Sequence, residues 1–420
     1  MNNLPLTDDT VIFGLLALCL GFVFYTSTIK SRFWKKFYTI VPTVLMCYLL
    51  PAILASSGLV SEKDSNLYFI ASRYLLPAAL ILMTLSIDLK AIANLGSKAL
   101  IMFFTGTAGI IIGGPLAILI VSVFSPETVG GAGPDAVWRG LSTIAGSWIG
   151  GGANQAAMLE VFEYNPEKYG GMVLIDIVVA NIWMAILLLG IGRKVKIDKW
   201  LKADNSSIEE LKIKVSEHTA KIARITSLND FIMMLFFAFV GVGLAHFMGN
   251  HFAEFLEASF EVIRNKEKIL SSLGSKFLWM VVFATAFGIA LSFSKVKNYE
   301  GAGASKIGGM FIYILVATIG MKMDLGRVLE NPGLIAIGLI WISIHAGLLI
   351  LVAKLIKAPY FFLAVGSQAN VGGAASAPVV AAEFHPSLTS VGILLAVFGY
   401  VVGTGGAYLC AILMEVASKV

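Results

Sequence analysis

The 420-residue sequence predicts an all-α polytopic membrane protein made of two inverted repeats. Of its residues, 57% are hydrophobic and only 14% are charged. Long apolar stretches follow one another along the chain, and the second half resembles the first. A soluble domain usually carries about 25% charged residues, so this chain could not cover a surface that faces water. The composition therefore excludes a soluble enzyme, a nucleic-acid-binding protein and a disordered scaffold, and it implies a lipid bilayer around the chain.

Ten stretches are apolar and long enough to cross a bilayer, which takes about 20 residues. They are 10–28, 38–60, 66–87, 99–123 and 170–192 in the first half, and 231–247, 276–294, 307–323, 333–353 and 388–416 in the second. Two further segments, 139–162 and 358–382, are apolar but crowded with Gly, Ser, Asn and Gln. Each half is thus predicted to contain about five transmembrane helices and one Gly-rich re-entrant or broken segment.

An internal repeat relates the two halves. Shifting the second half by 220 residues overlays 146–174 on 366–394 without a gap, and seven of these 29 columns are identical. In addition, SIDLKAI and KMDLGRV place Asp88 and Asp324 at the end of an apolar span in each half. We therefore expect Asp88 and Asp324 to end their helices at the membrane surface.

A charged linker separates the repeats, which gives a first repeat at 1–192, a cytoplasmic linker at 193–230 and a second repeat at 231–420. The linker pairs Ser207 with Glu210 in a capping-box pattern, so we expect an amphipathic surface helix there. We consider first that each Gly-rich segment enters and leaves the membrane on the same side. The loops on the side of the membrane where the linker lies then hold 20 of the 31 Lys and Arg residues. The repeats are then inverted, and both termini lie outside, on the periplasmic side of a bacterial inner (plasma) membrane. If the segments crossed fully, the repeats would point the same way.

The two Gly-rich segments contain the candidate binding site. They read GSWIGGGANQAAMLEVFE (146–163) and GSQANVGGAASAPVVAAE (366–383). Irregular backbone at membrane depth is tolerated only where protein or a water-filled cavity satisfies it, and such interruptions in corresponding positions point to a transporter's binding site. Close helix packing is the simpler interpretation of glycine. We expect the ion and the substrate at Ser147, Gly150, Gly151, Gly152, Asn154, Gln155, Ser367, Gln368, Asn370, Gly372 and Gly373, with Na⁺ at Asn154, Gln155, Gln368 and Asn370.

Ionisable side chains inside a membrane span are costly and are therefore functional candidates. Asp176, five residues before Asn181, is either a coupling-ion ligand, a proton carrier or a polar interhelical contact. Glu160, Asn181 and His345 are further candidates for the site, although a histidine in a span is more often structural. Arg73 could neutralise a substrate carboxylate or simply extend toward the membrane surface.

Motifs for covalent chemistry are missing from the sequence. It contains no Cys/His cluster, HExxH, GxSxG or Walker loop, and its five histidines are scattered. We therefore expect no enzymatic activity, no catalytic residue and no cofactor apart from a coupling ion. Because the chain has no nucleotide-binding domain, an ion gradient would have to drive transport.

The segments GSWIGGGANQAAM and GSQANVGGAASAP, with the helix ends SIDLK and KMDLG, make nearly the whole chain resemble the YjcL-like membrane proteins of bacteria and plastids. This family, long labelled a domain of unknown function, is grouped with the cation/proton antiporter and anion transporter superfamily, which includes bile acid/sodium and glutamate/sodium symporters. The resemblance implies a scaffold domain, a moving core domain with interrupted helices, elevator-type alternating access and often a homodimer. The paired aspartates of the electrogenic antiporters are missing, and only Asp176 stands in that region.

The sequence thus favours a secondary active transporter that couples Na⁺ symport to a small, preferably anionic organic solute. Peptides, amino acids, dicarboxylates and cell-wall fragments all remain candidates for the solute, and H⁺ remains a candidate for the coupling ion. One alternative is a cation/proton antiporter that uses Asp176. Another is a non-transporting membrane receptor or assembly factor on the same fold.

Overall fold

The computed structural model describes residues 5–61, 65–85, 87–204, 208, 225–265, 269–327, 331–385 and 388–419. In these ranges the chain is helical, and its only β-type pairing is an isolated bridge between Leu6 and Val60. Within the same ranges eight helices are long and apolar enough to cross a membrane, or up to ten if each of two bent helix pairs is one span. The prediction of an all-α polytopic membrane protein is confirmed.

The helices are numbered here in chain order. Those of the first half are α1 (Asp9–Thr28), α2 (Arg32–Ile40), α3 (Thr43–Ser56), α4 (Leu67–Leu85), α5 (Leu89–Ala93), α6 (Ser97–Phe124), α7 (Pro126–Val129), α8 (Val137–Val161) and α9 (Tyr169–Ile191). They are followed by α10 (Lys194–Leu201), α11 (Leu228–Ser259), α12 (Glu261–Arg264), α13 (Lys276–Ser292), α14 (Ala304–Lys322), α15 (Gly333–Leu355), α16 (Tyr360–Val371), α17 (Gly373–Phe384) and α18 (Thr389–Ala417). Short 3₁₀ turns lie at Gly133–Asp135, Pro166–Lys168, Ile269–Gly274, Lys295–Ala302 and Leu325–Arg327.

All ten predicted spans coincide with helices, but two of them have different boundaries. The predicted span 38–60 is divided between α2 and α3, because Pro42 has no N–H to continue α2 and instead precedes the first turn of α3. The predicted span 231–247 continues to Ser259. This extension packs on α13, where a Cβ on Gly249 would lie only 2.7 Å from the backbone nitrogen of Met280.

The first Gly-rich segment, α8, is a helical hairpin. Its backbone leaves the helical region at Gly151, where φ is 73° and ψ is −173°, angles that glycine adopts without a Cβ clash. The two legs then lie side by side, since a Cβ on Gly146 would be 2.6 Å from the carbonyl oxygen of Asn154. The rings of Trp138 and Phe162, near the two ends of the segment, are 5.5 Å apart. The segment therefore begins and ends on the same face.

The second Gly-rich segment, α16 with α17, folds in the same way. The two helices meet at Gly372, and Gly373 has a φ of 54°. The rings of Tyr360, at the start of α16, and Phe384, at the end of α17, are 5.7 Å apart. The sequence left open whether these segments are re-entrant or cross fully. In the structure, both segments have the re-entrant form.

Contacts between loops show which helix ends lie together. At the start of α6, Lys98 forms a 3.1 Å ion pair with Asp204 of the linker. Beyond the other end of α6, the Thr128 carbonyl accepts a 3.1 Å hydrogen bond from Asn331, which precedes α15. If each bent helix pair is one span, each half contains five spans and one hairpin within the described residues, which is what inverted repeats require. The inversion and the boundaries at 192 and 230 stay predictions, and the predicted linker helix with Ser207 and Glu210 lies outside the described residues.

The spans pack as two groups. The scaffold group contains α1, α3, α4, α11, α13 and α14, and the core group contains α6, α8, α9, α15, α16, α17 and α18. Within the core group, α18 packs along α8 and α15 packs along α6. Contacts between the groups are sparser than contacts within them. Both hairpins consequently belong to the same body of helices.

Candidate functional site

The tips of the two hairpins meet on one side of α18. A Cβ on Gly403 would lie 2.6 Å from the Cα of Gly150, at the tip of the first hairpin. A Cβ on Gly399 would lie 2.9 Å from the carbonyl oxygen of Ile149 and 3.4 Å from that of Ala369, one from each hairpin. Only glycine permits backbones to approach this closely. The interrupted helices of both hairpins thus come together at Gly399 and Gly403.

Asn154 stabilises the tip of the first hairpin. Its side chain is fully buried, and its Nδ2 donates a 2.9 Å hydrogen bond to the carbonyl oxygen of Gly150, four residues earlier. Its Oδ1 accepts a 2.6 Å hydrogen bond from the hydroxyl of Thr404 in α18. The amide therefore bridges the break at Gly151 and joins it to α18.

Asn370 has the same role in the second hairpin. Its Nδ2 donates to the carbonyl oxygens of Gly366 at 2.9 Å, again four residues earlier, and of Phe103 in α6 at 3.0 Å. Its Oδ1 accepts a 2.8 Å hydrogen bond from the hydroxyl of Thr107. The two asparagines occupy different columns of the sequence repeat, yet each holds a buried backbone carbonyl and accepts from a threonine of a neighbouring helix.

Asp176 links α9 to both legs of the first hairpin. Its Oδ1 accepts a 2.7 Å hydrogen bond from the Trp148 indole, before the break, and its Oδ2 accepts a 3.0 Å hydrogen bond from Gln155, after the break. Ser147, the residue before Trp148, is half-buried. Each carboxyl oxygen thus accepts one hydrogen bond, as the oxygens of a carboxylate can. Any movement of one leg against the other changes the surroundings of this charge.

Gln368 connects α16 to α17 across the second break. Its Oε1 accepts a 2.6 Å hydrogen bond from the hydroxyl of Ser376. Its Nε2 is buried and has no hydrogen-bond partner among the described residues. A buried amide donor without a partner costs about 1–3 kcal/mol, which a bound oxygen atom would recover. Gly372 lies directly beside this contact, where a Cβ would displace the Gln368 and Ser376 side chains.

Ser367 and His345 belong to a buried chain of hydrogen bonds. The Trp183 indole donates to the Ser367 hydroxyl at 2.7 Å, and this hydroxyl pairs with His345 Nε2 at 2.8 Å. His345 Nδ1 lies 2.9 Å from the carbonyl oxygen of Gly106, which can only accept. Nδ1 is therefore the donor in this bond. This chain positions α16 against α6, α9 and α15.

The remaining candidates lie away from the hairpin tips. Glu160, near the end of α8, forms a 2.6 Å ion pair with Arg73 of α4 and also accepts a hydrogen bond from the Tyr68 hydroxyl. This contact joins the core group to the scaffold group. Asn181 is exposed and donates a 2.7 Å hydrogen bond to the Ile177 carbonyl of its own helix, so the structure does not bring Asn181 to the site. Gly152 is half-buried just beyond the first break.

Sequence reasoning missed several residues that build the site, namely Thr107, Thr404, Trp148, Trp183, Gly399 and Gly403. Single threonines and tryptophans are common in apolar spans and carry no signal of their own. The spacing of Gly399 and Gly403, four residues apart, is the small-residue pattern of a close helix contact and could have been recognised. The oxygens that gather near the tips are carbonyl, amide and hydroxyl oxygens, the ligand type that hard cations prefer.

Comparison with known proteins places the chain among membrane proteins. Residues 12–417 match the family described as a protein of unknown function (DUF819). The chain belongs to the DUF819 family. It is also 24% identical over 415 residues to the uncharacterized membrane protein YjcL of Bacillus subtilis (strain 168), and the match covers 96% of each chain. The family expected from the sequence is confirmed for this DUF819 member, whereas its place in the antiporter and anion transporter superfamily stays a prediction.

Proposed function

We propose that this DUF819 member is a secondary active transporter that moves a small anionic organic solute by Na⁺ symport and catalyses no covalent chemistry. One observation carries the proposal: two glycine-broken hairpins meet against α18 among fully buried amides. Discontinuous helices that face each other within a membrane protein are the usual setting for substrate and ion binding in secondary transporters. Backbone carbonyls released by the breaks would coordinate the ion together with Asn154, Gln155, Gln368 or Asn370.

The second hairpin supports an anionic solute. The twelve-residue helix α17 begins at its tip, so the partial positive charge of the helix N-terminus lies beside Gln368. Gln368 Nε2 adds a buried donor that has no partner among the described residues. Donors and a helix N-terminus together suit a carboxylate or another oxyanion.

The separation of the helices into two groups supports elevator-type alternating access. In this mechanism the core group, with both hairpins, would slide against the scaffold group and carry the bound solute. The Glu160–Arg73 ion pair lies on the boundary that would have to shift. We further propose a homodimer in a bacterial inner membrane, with both termini on the periplasmic side.

Asp176 supports a second candidate, a cation/proton antiporter. Its carboxylate is 7% exposed and is bonded to residues before and after the first break. Protonation would remove the charge that holds these donors, so proton binding and hairpin geometry would be coupled. In that case cation binding would weaken as the pH falls, and no organic solute would be needed.

The test is the melting temperature of the detergent-purified protein at increasing NaCl, with KCl and choline chloride as controls, at pH 6 and pH 8. A ligand present at about 100 times its Kd, and bound only to the folded state, adds about 2.7 kcal/mol of stability. We expect a saturable, Na⁺-specific rise in Tm at both pH values. It should be lost in Asn370→Ala but kept in Asn181→Ala, which removes an exposed amide outside the site.

The outcomes separate the candidates. A Na⁺ shift at pH 8 that vanishes at pH 6 and depends on Asp176 would replace the symporter with the antiporter. Equal shifts in NaCl, KCl and choline chloride at both pH values would refute Na⁺ coupling. A Na⁺-specific shift that survives Asn370→Ala would move the ion away from the hairpin tips.

A further inference from the structure

A cavity beside the second hairpin lies apart from the hairpin tips. It has a volume of about 560 Å³, is open on one side and is lined by residues of α9, α10, α15 and α16. This volume is in the range of small-molecule sites in proteins. Most of its wall is apolar, and its lining includes Ile186, Leu187, Gly190, Ile350 and Leu363.

The polar atoms of two aromatic residues in the wall already have partners. The Trp183 indole donates to Ser367, and the Tyr360 hydroxyl donates a 2.7 Å hydrogen bond to the carbonyl oxygen of Leu187. Neither group has a donor hydrogen left for a polar solute in the cavity. An apolar chain fits this wall better, because it would cover the aliphatic side chains without displacing either bond.

Among the described residues that line the cavity, Arg193 is the charged one. Lys194, Lys196 and Lys199 follow in α10 without lining the cavity, and Asp198 lies between the last two. Trp200 also lines the cavity, and the ammonium of Lys354 lies 4.3 Å from the centre of its ring. A short helix that combines lysines with an exposed tryptophan is typical of the membrane–water interface, where basic groups attract anionic headgroups.

We propose that this cavity binds an acyl chain of an anionic phospholipid whose headgroup phosphate contacts Arg193. The apolar wall would take the chain, and Arg193 would select the headgroup by its charge. Arg193 suits this contact because its planar guanidinium can donate two parallel hydrogen bonds to a phosphate. The cavity shares Trp183 with the candidate site, but the lipid proposal does not require that the protein transports a solute.

The bound lipid would also stabilise the second hairpin. Tyr360 begins α16, and its backbone N–H donates a 2.8 Å hydrogen bond to Asp198 of α10. Trp183, which also lines the cavity, donates to Ser367 of the same hairpin. A chain packed between these two side chains would oppose their separation, so lipid binding should raise the stability of the protein.

The experiment uses the full chain, purified and delipidated in detergent. Its melting temperature is measured while phosphatidylglycerol or phosphatidylcholine is added in mixed micelles, and native mass spectrometry detects the retained lipid. Arg193→Gln removes the proposed headgroup contact, with Lys196→Gln as its matched control. Ile186→Trp fills the cavity, and Ile182→Trp, one turn earlier and similarly exposed (45% against 52%), is its control.

We expect phosphatidylglycerol to raise Tm saturably and to stay bound in the mass spectrum, with a smaller effect of phosphatidylcholine. Arg193→Gln should raise the half-saturating phosphatidylglycerol concentration about fivefold, the effect of one basic group near an anionic surface. Ile186→Trp should abolish the Tm shift, and both controls should keep it. Equal shifts with both lipids would mean unspecific boundary lipid and would overturn the proposal. So would a phosphatidylglycerol shift that persists in Ile186→Trp, or none in the unaltered protein.

Discussion

Replacing Gly403 by alanine tests the geometry on which the candidate site depends. The added Cβ would lie 2.6 Å from both the Cα of Gly150 and the Nδ2 of Asn154, whereas ordinary contacts lie at 3.4–4 Å. The hairpin tip would have to move by about 0.8 Å to restore such a contact. Gly405 is the matched control, because it lies on the same helix and a Cβ there meets no atom within 4 Å.

The comparison of the two variants isolates the packing contribution. In a helix, alanine is more favourable than glycine by about 1 kcal/mol, and both variants gain this amount, so it cancels in the difference. Forcing one extra methyl group into a packed interior costs about 1–3 kcal/mol. Gly403→Ala should therefore be about 1–3 kcal/mol less stable than Gly405→Ala. The effect on ion binding should be larger, because metal ligands tolerate displacements of only about 0.2 Å.

Both quantities come from one assay, the thermal unfolding of the detergent-purified variants with and without NaCl. We expect Gly405→Ala to keep the Na⁺-induced shift and to be about 1 kcal/mol more stable than the unaltered protein, because alanine favours the helix. Gly403→Ala should melt below Gly405→Ala and lose the Na⁺-induced shift. If the two variants behaved alike, α18 and the first hairpin could not be in the close contact described here.

Two further variants probe the charges around the hairpins. Asp176→Asn keeps an acceptor for the Trp148 indole but removes the charge, so it should change stability by less than about 2 kcal/mol. If the carboxylate binds the ion, this variant should lose the Na⁺-induced shift in Tm at both pH values. If the carboxylate carries the proton, the variant should lose only the difference between the shifts at pH 6 and pH 8. An unaltered shift would contradict both roles. Glu160→Gln and Arg73→Gln should each lower stability by about 1 kcal/mol, since the side chains of the pair are 14% and 29% exposed. The double variant should lose no more than either single one, and additive losses would show that the two residues act independently.

The sequence was sufficient to predict the helices and the breaks, because both depend on local composition. Apolar length predicted the spans, and GGG at 150–152 and GG at 372–373 predicted the interruptions. The predicted span 38–60 differs from the structure because Pro42 separates two helices within it. The fold class therefore followed from the order of residues alone.

The partners of the site residues could not be predicted in the same way. Asn154 was an expected ion ligand, but its side-chain oxygen Oδ1 accepts a hydrogen bond from Thr404, which lies 250 positions further along the chain. Asn370 likewise depends on Thr107, at a separation of 263 positions. Such pairs arise only from the packing of α6 and α18 against the hairpins. Nor could the exposure of Asn181 be predicted. This residue is polar and lies within a span, but it is on the outer side of α9 and therefore away from the site.

Residues that differ between the two halves would affect the relative free energies of the two end states of alternating access. If the transport proposal holds, an inverted repeat would make the two end states similar in structure, and only residues that differ between the halves could make them differ in energy. Glu160 and Arg73 are such residues, because the repeat alignment places Val380 and Gly309 at their counterparts. The conformation described here therefore gains an ion pair between core and scaffold that the symmetry-related conformation cannot form. Neutralising either residue should shift the population toward the other state, in addition to lowering the melting temperature.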